Sequence, residues 1–138
     1  MFTPDHQYVF LTNGDKYHDS MVSQDLTKSA GKILRFFKNG TIPVDNLGRS
    51  QASYHDPIWA YGLRNGYRAL WDARFDRLLI AEVGSNAWAR AQEDLHAVHA
   101  GDNLGWPICE GYCNDGSDPN HLFPDCDWFA AEEKKRKK

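Results

Sequence analysis

The chain is written as short apolar runs, each closed within a few residues by a turn signal, and that punctuation decides what it can fold into. Residues 7–12 (QYVFLT) end at Asn13-Gly14-Asp15, and residues 31–37 (GKILRFF) end at Lys38-Asn39-Gly40-Thr41. An Asn-Gly pair takes positive φ readily and marks a tight turn. Residues 58–63 (IWAYGL), 67–72 (YRALWD) and 77–83 (RLLIAEV) follow, broken by Arg64-Asn65-Gly66, Ala73-Arg74-Phe75-Asp76 and Gly84-Ser85-Asn86. Runs of this length, rich in aromatic and aliphatic residues, predict strands. Five Trp, six Tyr and seven Phe, against eleven Gly and six Pro, push the same way. No sustained helical period supports a long amphipathic helix. The chain is therefore predicted to be all-β. Ile42-Pro43 reads as a short extended piece, since Pro cannot donate to a central ladder. Residues 16–30, 45–56 and 109–127 read as loops, and residues 101–107 as turn-rich. Residues 87–100 stay ambiguous: Ala, Gln, Glu and Leu favour helix, while Leu95 and Ala97 alternating with His96 and His99 fit a strand.

Length and charge exclude several classes. A chain of 138 residues holds one domain at most. No apolar run approaches the length of a membrane-spanning helix. The opening MFTPDHQYVF lacks the basic and long apolar segments of a signal peptide. The net charge of −3 gives no general reason to expect nucleic acid as a partner. Residues 132–138 (EEKKRKK) hold five of the sixteen basic residues, so the remainder is more acidic than the total suggests. Residues 130–138 read as a charged, disordered, solvated tail, with a nucleic-acid or localisation patch as the alternative.

Local motifs carry little chemistry on their own. Cys109, Cys113 and Cys126 have the spacing C-x3-C-x12-C, with His121 inside the second interval, which does not fit a zinc finger. A disulfide is the preferred reading, with Cys109–Cys113 ahead of Cys113–Cys126; three reduced cysteines remain the alternative. Asn114-Asp115-Gly116-Ser117-Asp118 lacks the terminal Glu of a calcium loop and reads as a polar turn. Asn39-Gly40-Thr41 is a glycosylation sequon. The six histidines are scattered and form no triad by spacing.

Read in order, five segments point further. They are Phe2-Thr3-Pro4-Asp5 ahead of a strand ending in Gly14-Asp15; Gly31-Lys32-Ile33-Leu34-Arg35 with residues 39–46 (NGTIPVDN); Gly62-Leu63-Arg64-Asn65; Val83-Gly84-Ser85-Asn86; and residues 101–107 (GDNLGWP) with Glu110-Gly111. This order resembles the glucose/sorbosone dehydrogenase family, which includes soluble quinoprotein sugar dehydrogenases and Hedgehog-interacting-protein-like proteins. The resemblance runs from Phe2 to about Gly111. It implies a six-bladed β-propeller that binds pyrroloquinoline quinone (PQQ) with Ca²⁺ and oxidises an aldose or similar alcohol. At roughly 40–50 residues per blade, the chain has material for about two to three blades, over residues 1–129. The expectation is thus a partial propeller and a fragment.

The resemblance also assigns residues. A quinone with three carboxylates suits a planar, permanently charged guanidinium, and Arg64 matches the family's cofactor-contacting Arg, with Asn65 as its amide partner. The Gly84-Ser85 backbone matches the turn that offers carbonyl oxygens to Ca²⁺. Asp15 matches the acid that orients the catalytic His. On residue type alone, Asp15 also reads as a turn cap and Gly84-Ser85 as a strand exit. In the family the catalytic His precedes the Phe-x-Pro-Asp motif, whereas His6 follows it, and later Lys and Arg contacts would fall beyond Lys138. Inactivity of the isolated chain is therefore expected. Gly66-Tyr67-Arg68, in place of the usual Pro-Gln, and ICEGYC resemble the Hedgehog-interacting-like branch. That branch implies the alternative of a non-catalytic extracellular binding propeller with a protein ligand. The family further implies a sugar or alcohol substrate and an extracellular or periplasmic location.

Overall fold

Among the described residues six strands form, where short apolar runs pair antiparallel across connections that range from a tight turn to long loops. The computed structural model describes residues 1–17, 20–86 and 93–110. Strands β1 (Tyr8–Asn13), β2 (Lys32–Phe37) and β3 (Ile58–Tyr61) make one antiparallel sheet in the order β1-β2-β3. Strands β4 (Gly66–Asp72), β5 (Arg77–Glu82) and β6 (Asp94–Val98) make a second, in the order β4-β5-β6. The all-β expectation holds. Register runs from Tyr8 against Phe37 to Asn13 against Lys32 in the first sheet, and from Glu82 against Asp94 to Leu78 against Val98 in the second.

The two sheets share one core. Phe10, Ile33, Trp59, Ala60 and Leu63 meet Leu78, Ile80 and Val98 in a single buried cluster. Phe10 sets its edge against Trp59 at 4.9 Å and stacks on Trp71 of β4 at 5.4 Å. Such ring pairs add to the burial of large apolar surface, which stabilises by about 1.5–3 kcal/mol per side chain. Across the gap, Thr12 Oγ1 donates to Gly66 O at 2.9 Å.

Element boundaries shift for local reasons. β3 stops at Tyr61, short of the expected Leu63, because Gly62 takes φ +76°. There a Cβ would meet Gly105 N at 2.8 Å and Leu104 N at 2.9 Å. β4 gains Gly66 through a bulge between Gly66 and Arg68. The expected loops carry short 3₁₀ turns at Ser20–Ser23 and Leu47–Arg49. Within the ambiguous segment, Asp94–Val98 is a strand, because its inward residues complete the face that β5 presents. Residues 87–92, Cys113, Cys126, residues 114–118 and the basic tail lie outside the described residues.

Two polar anchors fix the loops. Buried Lys32 donates from Nζ to the carbonyls of Val22, Ser23 and Ala30 at 2.8, 3.1 and 2.7 Å, tying residues 16–30 to β2. Buried Arg35 reaches Asn46 Oδ1 at 2.7 Å and Asp45 Oδ1 at 2.6 Å. The hydrogen bond from Arg35 holds the Asp45 carboxyl below the usual carboxylate range. Among the described residues no helix is long and apolar enough to cross a membrane.

A segment after β6 returns to the first sheet. Gly101 N donates to Trp59 O at 2.8 Å, Tyr61 N to Asp102 O at 3.0 Å, and Leu104 N to Tyr61 O at 2.8 Å. Asn103 thereby pairs parallel with Tyr61 on the open edge of β3.

Candidate functional site

Three turns converge where both sheets end. Gly14-Asp15 leaves β1, Arg64-Asn65 joins β3 to β4, and Gly84-Ser85 leaves β5. Backbone bonds lock them together: Asp15 N donates to Arg64 O at 2.9 Å, and Val83 N to Asn65 O at 2.9 Å. Trp106 arrives on the returning segment, its N bonded to Gly62 O at 3.0 Å. A cavity of about 230 Å³ opens among Asp15, Tyr17, Arg64, Ser85, Asn86 and Trp106. A roomier cavity of about 560 Å³, at Gln7, Phe37, Lys38, Asn39 and Thr41, brings no comparable set of charged and oxygen-donor groups together.

The cleft residues hold one another. Arg64 donates to Val83 O at 2.8 Å and to Asn86 Oδ1 at 3.4 Å, and its guanidinium lies 5.5 Å from the Trp106 ring centre. Trp106 Nε1 donates to Asp15 Oδ2 at 2.7 Å, while Tyr17 N donates to Asp15 Oδ1 at 2.9 Å. Both oxygens of the buried Asp15 are therefore engaged, and among the described residues no histidine bonds to them. Asp15, Arg64 and Ser85 share the cavity. Asn65 sits beside them by backbone, but its side chain is exposed. Gly84 is buried and donates from N to Glu93 Oε1 at 3.2 Å.

Two buried acids carry no assigned role in the sequence reading. Glu82 ends the inward face of β5 after Leu78 and Ile80, and is only 6% exposed. Its Oε1 accepts from the backbone N–H of Arg64, in a short contact, and of Asn65 at 3.2 Å. Its Oε2 faces His96 Nε2 at 2.6 Å. Alternation along RLLIAE was the available signal, since it points Glu82 the same way as two core residues. Glu110 is equally buried, and one oxygen accepts a short bond from Ser85 N. Among the described residues, its Oε2 and the Ser85 hydroxyl are buried with no hydrogen-bond partner. Nothing in ICEGYC distinguished that carboxylate as an inward-facing group.

The chain matches the family model described as Glucose / Sorbosone dehydrogenase over residues 1–121. It is 31% identical to quinoprotein glucose dehydrogenase B of Acinetobacter calcoaceticus, over 78% of this chain and 22% of that protein. It is 30% identical to the HIPL2 protein of Arabidopsis thaliana, over 90% of this chain and 21% of that protein. Among solved structures, the apo soluble aldose sugar dehydrogenase of Escherichia coli superposes with a TM-score of 0.66 at 29% identity, covering 74% of this chain and 28% of that one. The chain thus spans between a fifth and a third of the length of these relatives.

Proposed function

The chain belongs to the glucose/sorbosone dehydrogenase family, its two sheets forming part of a β-propeller, and on that premise we propose that it carries one wall of the quinone and Ca²⁺ site of a sugar-oxidising protein. One observation carries this reading: Asp15, Arg64 and Ser85, drawn from three separate turns, open into one cleft.

The residues present fit both groups. Arg64 offers a guanidinium in the cleft, suited to a carboxylate of the cofactor, and Asn65 supplies an amide beside it. The unsatisfied Ser85 hydroxyl and Glu110 carboxylate oxygen are hard donors of the type Ca²⁺ takes, next to the Gly84-Ser85 carbonyls. When bound, PQQ supplies the two-electron acceptor for the sugar's C–H and O–H oxidation, with Ca²⁺ as Lewis acid. The chain's own part is to anchor carboxylate at Arg64 and to seat the cation at Gly84-Ser85. Asp15 holds the Trp106 indole against Arg64, which keeps the guanidinium in place. In the full protein Asp15 would also orient the catalytic base. An extracellular or periplasmic setting goes with this reading, and with it a disulfide, Cys109–Cys113 ahead of Cys113–Cys126.

Titration with PQQ in excess Ca²⁺, followed by tryptophan fluorescence, tests the proposal. Saturable quenching is expected, weakened at least tenfold in Arg64→Ala, without sugar-dependent dye reduction by the chain alone. Wild-type affinity in Arg64→Ala would remove that residue from the site. The alternative, a binding propeller without turnover, is favoured by the HIPL2 match over 90% of the chain; absence of saturable quinone binding would select it.

A further inference from the structure

A cluster of metal-ligating side chains lies on the inward face of the second sheet. Glu82 and Asp94 stand opposite each other in the β5–β6 register, and His96 stands opposite Ile80 on the same face. A Glu82 oxygen, an Asp94 oxygen and an imidazole nitrogen of His96 all lie within 4.8 Å of one another. Paired positions in an antiparallel ladder project together, so the backbone itself gathers these three groups.

We propose that Glu82, Asp94 and His96 form a binding site for a transition-metal dication of the Zn²⁺ type. The donor set decides the class. One imidazole with two carboxylates suits Zn²⁺, Co²⁺ or Ni²⁺, whereas Ca²⁺ and Mg²⁺ prefer oxygen alone. Three protein ligands with a fourth position open is the count found in non-structural zinc sites. Ligand atoms of a tetrahedral shell stand roughly 3.4 Å apart, so closing on the ion needs only small side-chain rotations. Glu82 is the fixed member. Its Oε1 is held by the amides of Arg64 and Asn65, which leaves Oε2 aimed at His96. The cation takes the place of the Glu82–His96 hydrogen bond, and any proton on Nε2 is released to solvent. Because the same carboxylate holds the Arg64-Asn65 turn, metal binding also braces the residue placed in the quinone cleft. The site stands on side chains of this chain and does not depend on the quinone reading.

The test is Zn²⁺ titration of the full chain by calorimetry in millimolar Ca²⁺, with Co²⁺ as a spectroscopic substitute. One equivalent of Zn²⁺ is expected to bind, at least tenfold more weakly in His96→Gln and in Asp94→Asn. His99→Gln, next to Asp102 rather than in the cluster, is expected to bind as wild type. Co²⁺ is expected to broaden the ring signals of His96 before those of any other histidine, which reads the site in the wild-type chain even where a variant fails to fold. Absence of stoichiometric Zn²⁺ binding, wild-type affinity in both cluster variants, or broadening centred on another histidine would overturn the proposal.

Discussion

Lys32 shows what one buried charge does to a small β protein. Its side chain is fully enclosed, and burial pushes its pKa from 10.5 down to about 8, with the charge of Asp25 pulling the other way. Below about pH 8 both folded and unfolded chains hold the proton. Between about 8 and 10.5 the unfolded chain holds a proton that the folded chain has lost, so stability rises with pH across that window. Urea midpoints are expected to increase by the equivalent of about 1–3 kcal/mol over it. Lys32→Met, which cannot titrate, is expected to show a flatter profile, and identical profiles would remove Lys32 as the cause. Arg64 was legible at this scale because Gly-Leu-Arg-Asn is a recognisable string. Lys32 and Glu110 were not, because burial of a charge depends on which distant carbonyls and amides the chain brings round.

At the scale of elements, the strands were legible and their ends were not. Periodicity located five strands directly, since each has an apolar face and a following turn. β6 stayed ambiguous because its five residues mix helix-favouring Ala and Leu with outward-facing positions, and only the partner strand decides the matter. The end of β3 depends on Gly62, whose positive φ and close neighbours Leu104 and Gly105 lie 42 and 43 residues further along the chain. Gly62→Ala combines strained φ with a backbone clash, and is expected to cost at least about 2 kcal/mol. A urea midpoint within error of wild type would contradict this. Gly40→Ala, also at positive φ but with nothing within 4 Å, is expected to cost about 1 kcal/mol by comparison.

At the scale of the whole molecule, the two sheets share one core and are expected to unfold together. Phe10 belongs to β1 yet touches Trp71 of β4, so its removal loosens both. Phe10→Ala is expected to cost about 3–5 kcal/mol, with tryptophan fluorescence and far-ultraviolet circular dichroism still losing signal at one common midpoint. Two separated midpoints would mean that each sheet melts by itself. The propeller class followed from ordered motifs, whereas the cleft between turns 14–15, 64–65 and 84–85 needed the sheets in place.

The returning segment at residues 101–104 makes the location of Trp106 a borrowed property. It follows β6 in the chain, yet its coordinates are set by bonds to Trp59, Tyr61 and Gly62 on the opposite sheet. Through the hitch at Gly101, the indole beneath Arg64 thus stays in step with β3, like a rope made fast at a second cleat.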